Sequence, residues 1–308
     1  MPVRWSPLAG AVALAALAAA CGSSPKALVA TSPPAPTAVA NADDGAAPPT
    51  EPATVAPTTA SPAPAPSPPA PAASAWVLGA RPLPLGSDGT PLVLPTPTAL
   101  RDRRLGTVDR LPPPPADAPY RSTAGPIDAG LATRIGTTWQ PGCPVPLSGL
   151  SHLTLSFWGF DGRPHTGELV VNASVAGAVQ RIFGRLYAGR FPIEDMRIVE
   201  PADLTEVATG DGNTTAAFVC RPIRGSTTTT SAHSSGLAID VNPFQNPYKK
   251  GSSVLPELAG AYLERTWSRP GMITRGDVVT RAFAAEGWSW GGTWTSSTDL
   301  MHFSANGR

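Results

Sequence analysis

The chain has 308 residues and a net charge of +1 at pH 7. It contains no basic run, which excludes the concentrated phosphate-binding patch that a nucleic acid partner requires. Its 38 Pro and 30 Gly are unevenly spread, and the proline-rich part leaves roughly 180 to 230 residues, enough for one well-buried domain.

Residues 1–21 read as an export signal. Arg4 supplies the positive start, and Leu8 to Ala20 is an apolar run of about 13 residues, short for a bilayer span. Small residues then lead into Cys21-Gly22-Ser23-Ser24, which resembles a bacterial lipoprotein signal, with Cys21 as the lipidated first residue after cleavage. An ordinary signal peptide cut nearby and an uncleaved anchor are the alternatives. All three put the rest of the chain outside the membrane.

Residues 22–75 repeat Ala, Pro, Thr and Ser, with no aromatic residue between Pro25 and Ala75. Such a stretch cannot bury enough apolar surface to offset the ordering of its backbone. It reads as a disordered, partly polyproline linker, with a reach on the order of 150 Å at about 3 Å per residue. Residues 76–125 read as an extended Pro-rich arm laid over the domain surface. Trp76-Val-Leu78 and Leu92-Val-Leu94 are candidate strands, but Pro82, Pro84, Pro91 and Pro95 interrupt them. The folded domain is expected to start near Pro126 and run to residue 308.

Within 126–308 the pattern mixes strands and helices with no βαβ repeat. Leu153–Trp158 alternates as a strand, Gly159–Gly167 reads as a loop, and Glu168–Asn172 as a second strand. Ser174 opens a helix whose Val175, Val179, Ile182, Phe183 and Leu186 share one face. Met196–Val199, Ala216–Cys220 and Leu237–Val241 read as further strands. Asp277–Glu286 is a short helix closed by Gly287. Trp288–Trp290 and Met301–Phe303 are closing strands. The expectation is α+β, with a small antiparallel sheet flanked by helices. In an exported chain with Cys21 lipidated, Cys143 and Cys220 are expected to pair, the alternative being two separate buried thiols.

Two stretches carry chemistry. The first is Ser231-Ala-His233-Ser-Ser-Gly236-Leu-Ala238-Ile-Asp240, and the second is Asp299-Leu-Met-His302. The chain has four histidines, and two of them lie here. His233, Asp240 and His302 make a set of two nitrogens and one carboxylate, which suits a catalytic zinc with an open fourth position. Asp299, three residues before His302, is placed to act as general acid and base. Arg221 is the candidate cation for a substrate carboxylate or a developing oxyanion. Trp288, Trp290 and Trp294 read as cleft wall and core, and His152 and His165 as structural residues.

The pattern Ser-x-His-x-x-Gly-x-Ala-x-Asp, followed by an acidic residue three before a second His, resembles the zinc D,D-peptidase family of cell-wall enzymes. Ser231, His233, Gly236, Ala238, Asp240, Asp299 and His302 match it position by position. Asn242-Pro243 and Trp290-Gly-Gly-Thr-Trp294 are similar to the branch that includes L-alanyl-D-glutamate endopeptidases. The resemblance covers roughly residues 135–308. It implies a single zinc peptidase domain, with Zn2+ held by His233, Asp240 and His302, Asp299 as the acid/base, and Ser231 as a substrate contact. It also implies peptidoglycan stem peptides as substrate. A D-alanyl-D-alanine carboxypeptidase is the first expectation. An L-Ala-D-Glu endopeptidase and a non-catalytic wall-binding lipoprotein are the alternatives. A monomer is expected, lipid-anchored to the bacterial cell membrane and facing the cell wall.

Overall fold

The computed structural model describes residues 76–221 and 230–307. The expected export signal, lipidation at Cys21 and linker all fall outside the described residues. The architecture is α+β, made of small sheets and short helices.

The largest sheet is antiparallel, in the order β1-β2-β3: β1 Ser122–Pro126, β2 Leu150–Trp158 and β3 Pro164–Asn172. Helix α1, Ala129–Ile135, connects β1 towards β2 and is capped by the Asp128 carboxylate, which accepts from Leu131 N–H at 2.7 Å. β2 and β3 form one hairpin, in register from Leu150 opposite Asn172 to Trp158 opposite Pro164. Alternation along β2 turns Leu153, Leu155 and Phe157 to one face. Helix α2, Ala176–Ala188, covers that face with Val179, Ile182, Phe183 and Leu186, all buried. Each such side chain contributes roughly 1.5–3 kcal/mol by leaving water. The helix starts two residues later than its sequence suggests. Asn172 caps a short 3-10 turn at Ala173–Val175, and this leaves Val175 only partly buried.

The remaining elements are short. β4 (Asp195–Met196) runs parallel to β5 (Thr214–Thr215), and α3 (Pro201–Thr205) lies between them in sequence. β6 (Ala238–Asp240) pairs with β11 (His302–Ser304), which also pairs with β9 (Ser289–Trp290). β7 (Tyr248–Lys250) lies between β8 (Ser253–Leu255) and β10 (Thr298–Asp299). Helix α4, Val278–Ala284, is capped by Asp277 and stacks its Phe283 on Phe303 of β11 at 3.9 Å.

Three expectations are corrected. The strand expected at Met196–Val199 ends at Met196. Ala216–Cys220 is not a strand but a wedge that bonds to four partners in turn: Ala216 N–H to Asp240 O, Phe218 N–H to Val170 O, Val219 N–H to His233 O, and Cys220 N–H to Thr138 O. Residues 76–125 are extended and mostly exposed as expected, yet they are more than a surface arm. Leu83, Leu100 and Leu105 form a second core with Phe244, Leu258 and Tyr262, so the folded part extends well before Pro126. Cys143 and Cys220 are joined in a disulfide.

Candidate metal centre

The first motif is shaped by a local turn. Ser231 caps a 3-10 turn over Ala232–Ser235, its hydroxyl accepting from His233 N–H at 3.3 Å. Ser234, fully buried, accepts from Arg221 N–H at 3.1 Å and donates to Arg221 O at 2.8 Å, which ties residue 221 to the turn. Gly236 closes the turn at φ +66°, where a Cβ would lie 2.4 Å from Asn172 N. Only glycine allows the turn to sit this close to the end of β3, where Asn172 N–H donates to Gly236 O at 2.8 Å.

Strand pairing completes the set. Asp240 on β6 lies opposite His302 on β11, so their side chains share one face. His302 Nδ1 is 3.1 Å from Asp240 Oδ1, and His233 Nε2 is 3.2 Å from Asp240 Oδ2. The two imidazoles meet edge to face at 5.1 Å. One donor atom from each of the three residues lies within 4.8 Å of the others, and all three side chains are mostly buried.

These residues fit a metal ion. His233 Nδ1 lies 2.6 Å from Ala217 O, and a carbonyl can only accept, so Nδ1 carries the proton. In the neutral ring the Nε2 lone pair then faces a carboxylate oxygen, and the contact requires a proton or a cation between the two atoms. A backbone carbonyl orienting an imidazole in this way is the usual outer support of a metal ligand. Two imidazoles and one carboxylate are also the donor set of a zinc site that keeps one position open.

Asp299 lies on β10, opposite Tyr248. Its Oδ1 is buried and has no hydrogen-bond partner. Burial, together with the charge of Asp240, pushes its carboxyl up to about 7, while His302 and His233 pull the other way. Asp240 behaves oppositely. Burial raises it too, but the two imidazoles outweigh that and hold it below the usual carboxylate range. The Trp-Gly-Gly segment makes room for this arrangement. A Cβ on Gly291 would sit 2.7 Å from Asp299 O, and Trp290 Nε1–H donates to Leu300 O at 2.9 Å. Trp288 is core, and Trp294 lies 5.3 Å from the His302 ring.

A cleft of about 360 Å³ opens on the centre, with Arg221, His233, Asp240, Asp203, Leu204 and Thr214 among its lining residues. Arg221 is exposed at its rim. The Ser231 hydroxyl is engaged in capping. Asp203 and Leu204 of α3, the Ala217 carbonyl and the Ser234 clamp escape sequence reasoning, because each reaches the site through a long-range contact with no local signal. His152 pairs with Glu168 at 2.8 Å, and His165 sits between Asp109 and Asp161 at 2.7 and 3.1 Å. Neither belongs to the ligand cluster.

Two imidazoles and a carboxylate beside a cleft, with the half-buried Asp299 next to them, make a donor set that fits a single metal ion. A family model described as D-alanyl-D-alanine carboxypeptidase matches residues 224–305, the segment that carries His233, Asp240, Asp299 and His302. By that match residues 224–305 are similar to the zinc D,D-peptidases, which supports a metallopeptidase. No curated protein and no solved structure matches the chain.

Proposed function

We propose that the chain is a zinc-dependent peptidase of peptidoglycan stem peptides, and that it acts as a D-alanyl-D-alanine carboxypeptidase. The observation that carries this reading is the convergence of His233, Asp240 and His302 within the segment that the family model matches. These three residues would hold the ion. When bound, zinc supplies Lewis acidity and makes hydroxide accessible at neutral pH.

The chain's own groups supply the rest. Asp299, held at about 7 by burial and by Asp240, can accept a proton from the attacking water and return it to the leaving amine. Its Oδ1 has no competing partner, so no hydrogen bond must be broken first. Arg221 offers a cation to the terminal carboxylate of the substrate. Leu204 and Thr214 offer one apolar and one polar contact along the wall. An L-Ala-D-Glu endopeptidase is the second reading, favoured by the Asn242-Pro243 and Trp290-Gly-Gly-Thr-Trp294 segments. We further place the chain outside the cytoplasmic membrane, anchored as a monomer through lipid on Cys21, with residues 22–75 as the tether that lets the domain reach the wall.

The test is mass spectrometry of muropeptides incubated with the full chain, with zinc and with a chelator. Zinc-dependent loss of one terminal alanine supports the carboxypeptidase. Cleavage between L-Ala and D-Glu moves the chain to the second reading. Zinc bound without any product leaves a non-catalytic wall-binding protein and overturns both.

A further inference from the structure

Arg103 is the largest fully buried side chain of the described residues, and it comes from the arm rather than from the segment that carries the ligands. Each of its three guanidinium nitrogens donates a hydrogen bond. Nε donates to Glu194 Oε2 at 2.8 Å, one Nη to Glu194 Oε1 at 2.5 Å and the other to Asp211 O at 2.7 Å. Its flat face lies 4.4 Å from the centre of the Phe244 ring. Charge, hydrogen bonds and stacking are therefore satisfied together, which makes the position specific to arginine rather than to any cation.

The partners of this pair lead to the metal ligand. Glu194 Oε2 also accepts from Asn213 Nδ2 at 2.8 Å, and Asn213 Oδ1 accepts from Phe244 N–H at 2.8 Å. Glu194 N–H donates to Asn242 Oδ1 at 3.2 Å. Asn242 Nδ2 donates to Pro192 O and Gly271 O at 2.8 and 3.3 Å, and its N–H donates to Thr215 Oγ1 at 3.1 Å. Asn242 lies two residues beyond Asp240 and holds φ at +44°, a left-handed conformation that asparagine tolerates better than most residues. The chain leaving Asp240 is thus anchored at 242 and 244, and both anchors close on the Arg103–Glu194 pair.

We propose that Arg103 is a positioning residue for the metal centre: through Glu194, Asn213 and Asn242 it holds the segment that presents the Asp240 carboxylate, so that residues 76–125 are a working part of the peptidase. This rests on the reading of His233, Asp240 and His302 as zinc ligands. Outer supports of a metal ligand typically change metal affinity by about 10–100-fold when removed. Arg103 acts through intermediate residues, so the lower end, about tenfold, is expected.

The experiment compares full-length variants by zinc affinity, from competition with a chromophoric chelator, alongside near-ultraviolet circular dichroism and muropeptide turnover. Arg103→Met should stay folded and bind zinc about tenfold more weakly, and Arg103→Lys should recover part of that loss. The double variant Arg103→Met/Glu194→Gln removes both charges and avoids a buried unpaired carboxylate; it should show the same weakening. Leu100→Ala loosens the same second core without touching Glu194, and it should lower Tm while keeping parental zinc affinity. Parental zinc affinity in the Arg103 variants would overturn the proposal, as would equal weakening in Leu100→Ala. Failure of both Met variants to fold would also overturn it, since Arg103 would then be a determinant of the fold and nothing more. A parent chain that binds no zinc removes the metal reading itself. A parent that binds zinc but cleaves nothing removes the peptidase reading and leaves the role of Arg103 intact.

Discussion

Asp299→Asn separates the chemistry of the centre from its assembly. The substitution keeps the shape of the side chain and removes its capacity to take a proton. General acid–base catalysis contributes typically 10²–10⁴-fold, so turnover should fall by that factor while zinc stays near one per chain. The variant has a second, opposite effect that the structure also sets. A carboxyl raised from 3.8 to about 7 disfavours the folded state once it is charged. The full shift corresponds to roughly 4 kcal/mol; because part of it belongs to the coupling with Asp240, about 2–3 kcal/mol is the working figure. The folded pKa of this acid lies above its unfolded value, so the destabilisation is absent below about pH 4, grows between pH 4 and 7, and is complete above that. Metal-free Asp299→Asn should therefore be more stable than the metal-free parent at pH 8 and equal to it at pH 4. Zinc should shrink the difference, because a dication offsets both carboxylates. Urea unfolding of the two metal-free chains at both pH values measures this, with muropeptide turnover run in parallel. Parental turnover in the variant would refute the acid–base role. Equal stability at pH 8 would refute the assignment of Asp299 to a buried site beside a like charge.

Three further outcomes are expected. Gly236→Ala forces a Cβ to within 2.4 Å of Asn172 N at a positive φ, so it should cost about 3 kcal/mol or more in urea unfolding and lower zinc content; an unchanged midpoint would contradict the close approach. Burial raises the Glu168 carboxyl, but hydrogen bonds from His152 and Arg134 outweigh that and hold it at about 2, so its stabilisation is full above pH 5 and is lost as pH falls towards 2. Arg134 is 44% exposed and screened by water, so about 1–2 kcal/mol is expected, read as the parent minus Glu168→Gln difference at pH 7 that vanishes near pH 2. The Cys143–Cys220 bridge spans 77 positions, and the chain-entropy model gives about 4 kcal/mol for such a loop. Replacing both cysteines by alanine should remove most of it, and a loss under about 1 kcal/mol would place the stabilisation elsewhere.

The centre is legible in the sequence because its two halves are local. His233, Gly236 and Asp240 are joined by one tight turn and one short strand, and Asp299 and His302 by a single bend, so spacing alone confines each half. The same holds for α2 and α4, whose apolar faces recur at helical period, and for the start of α4, which Asp277 caps; the helix ends at Ala284, before the expected Glu286. The stretch 216–220 departs from its expected strand for a related reason. Its apolar run carries the composition of a strand, but its backbone groups bond to four separate segments, and no local pattern records that.

By itself, then, the sequence determined the donor set, the turn that bends it and the helix that covers the main sheet, since each depends on neighbours a few residues apart. The tertiary structure alone decided how the halves meet, that Ala217 orients His233, and that the Asp299 Oδ1 atom is buried without a partner. It alone decided that Leu83, Leu100 and Leu105 of the arm enter a core. The burial of Arg103 has no local signal, because its partner Glu194 stands 91 positions away, and a charge enters the interior only where the fold delivers its counter-charge.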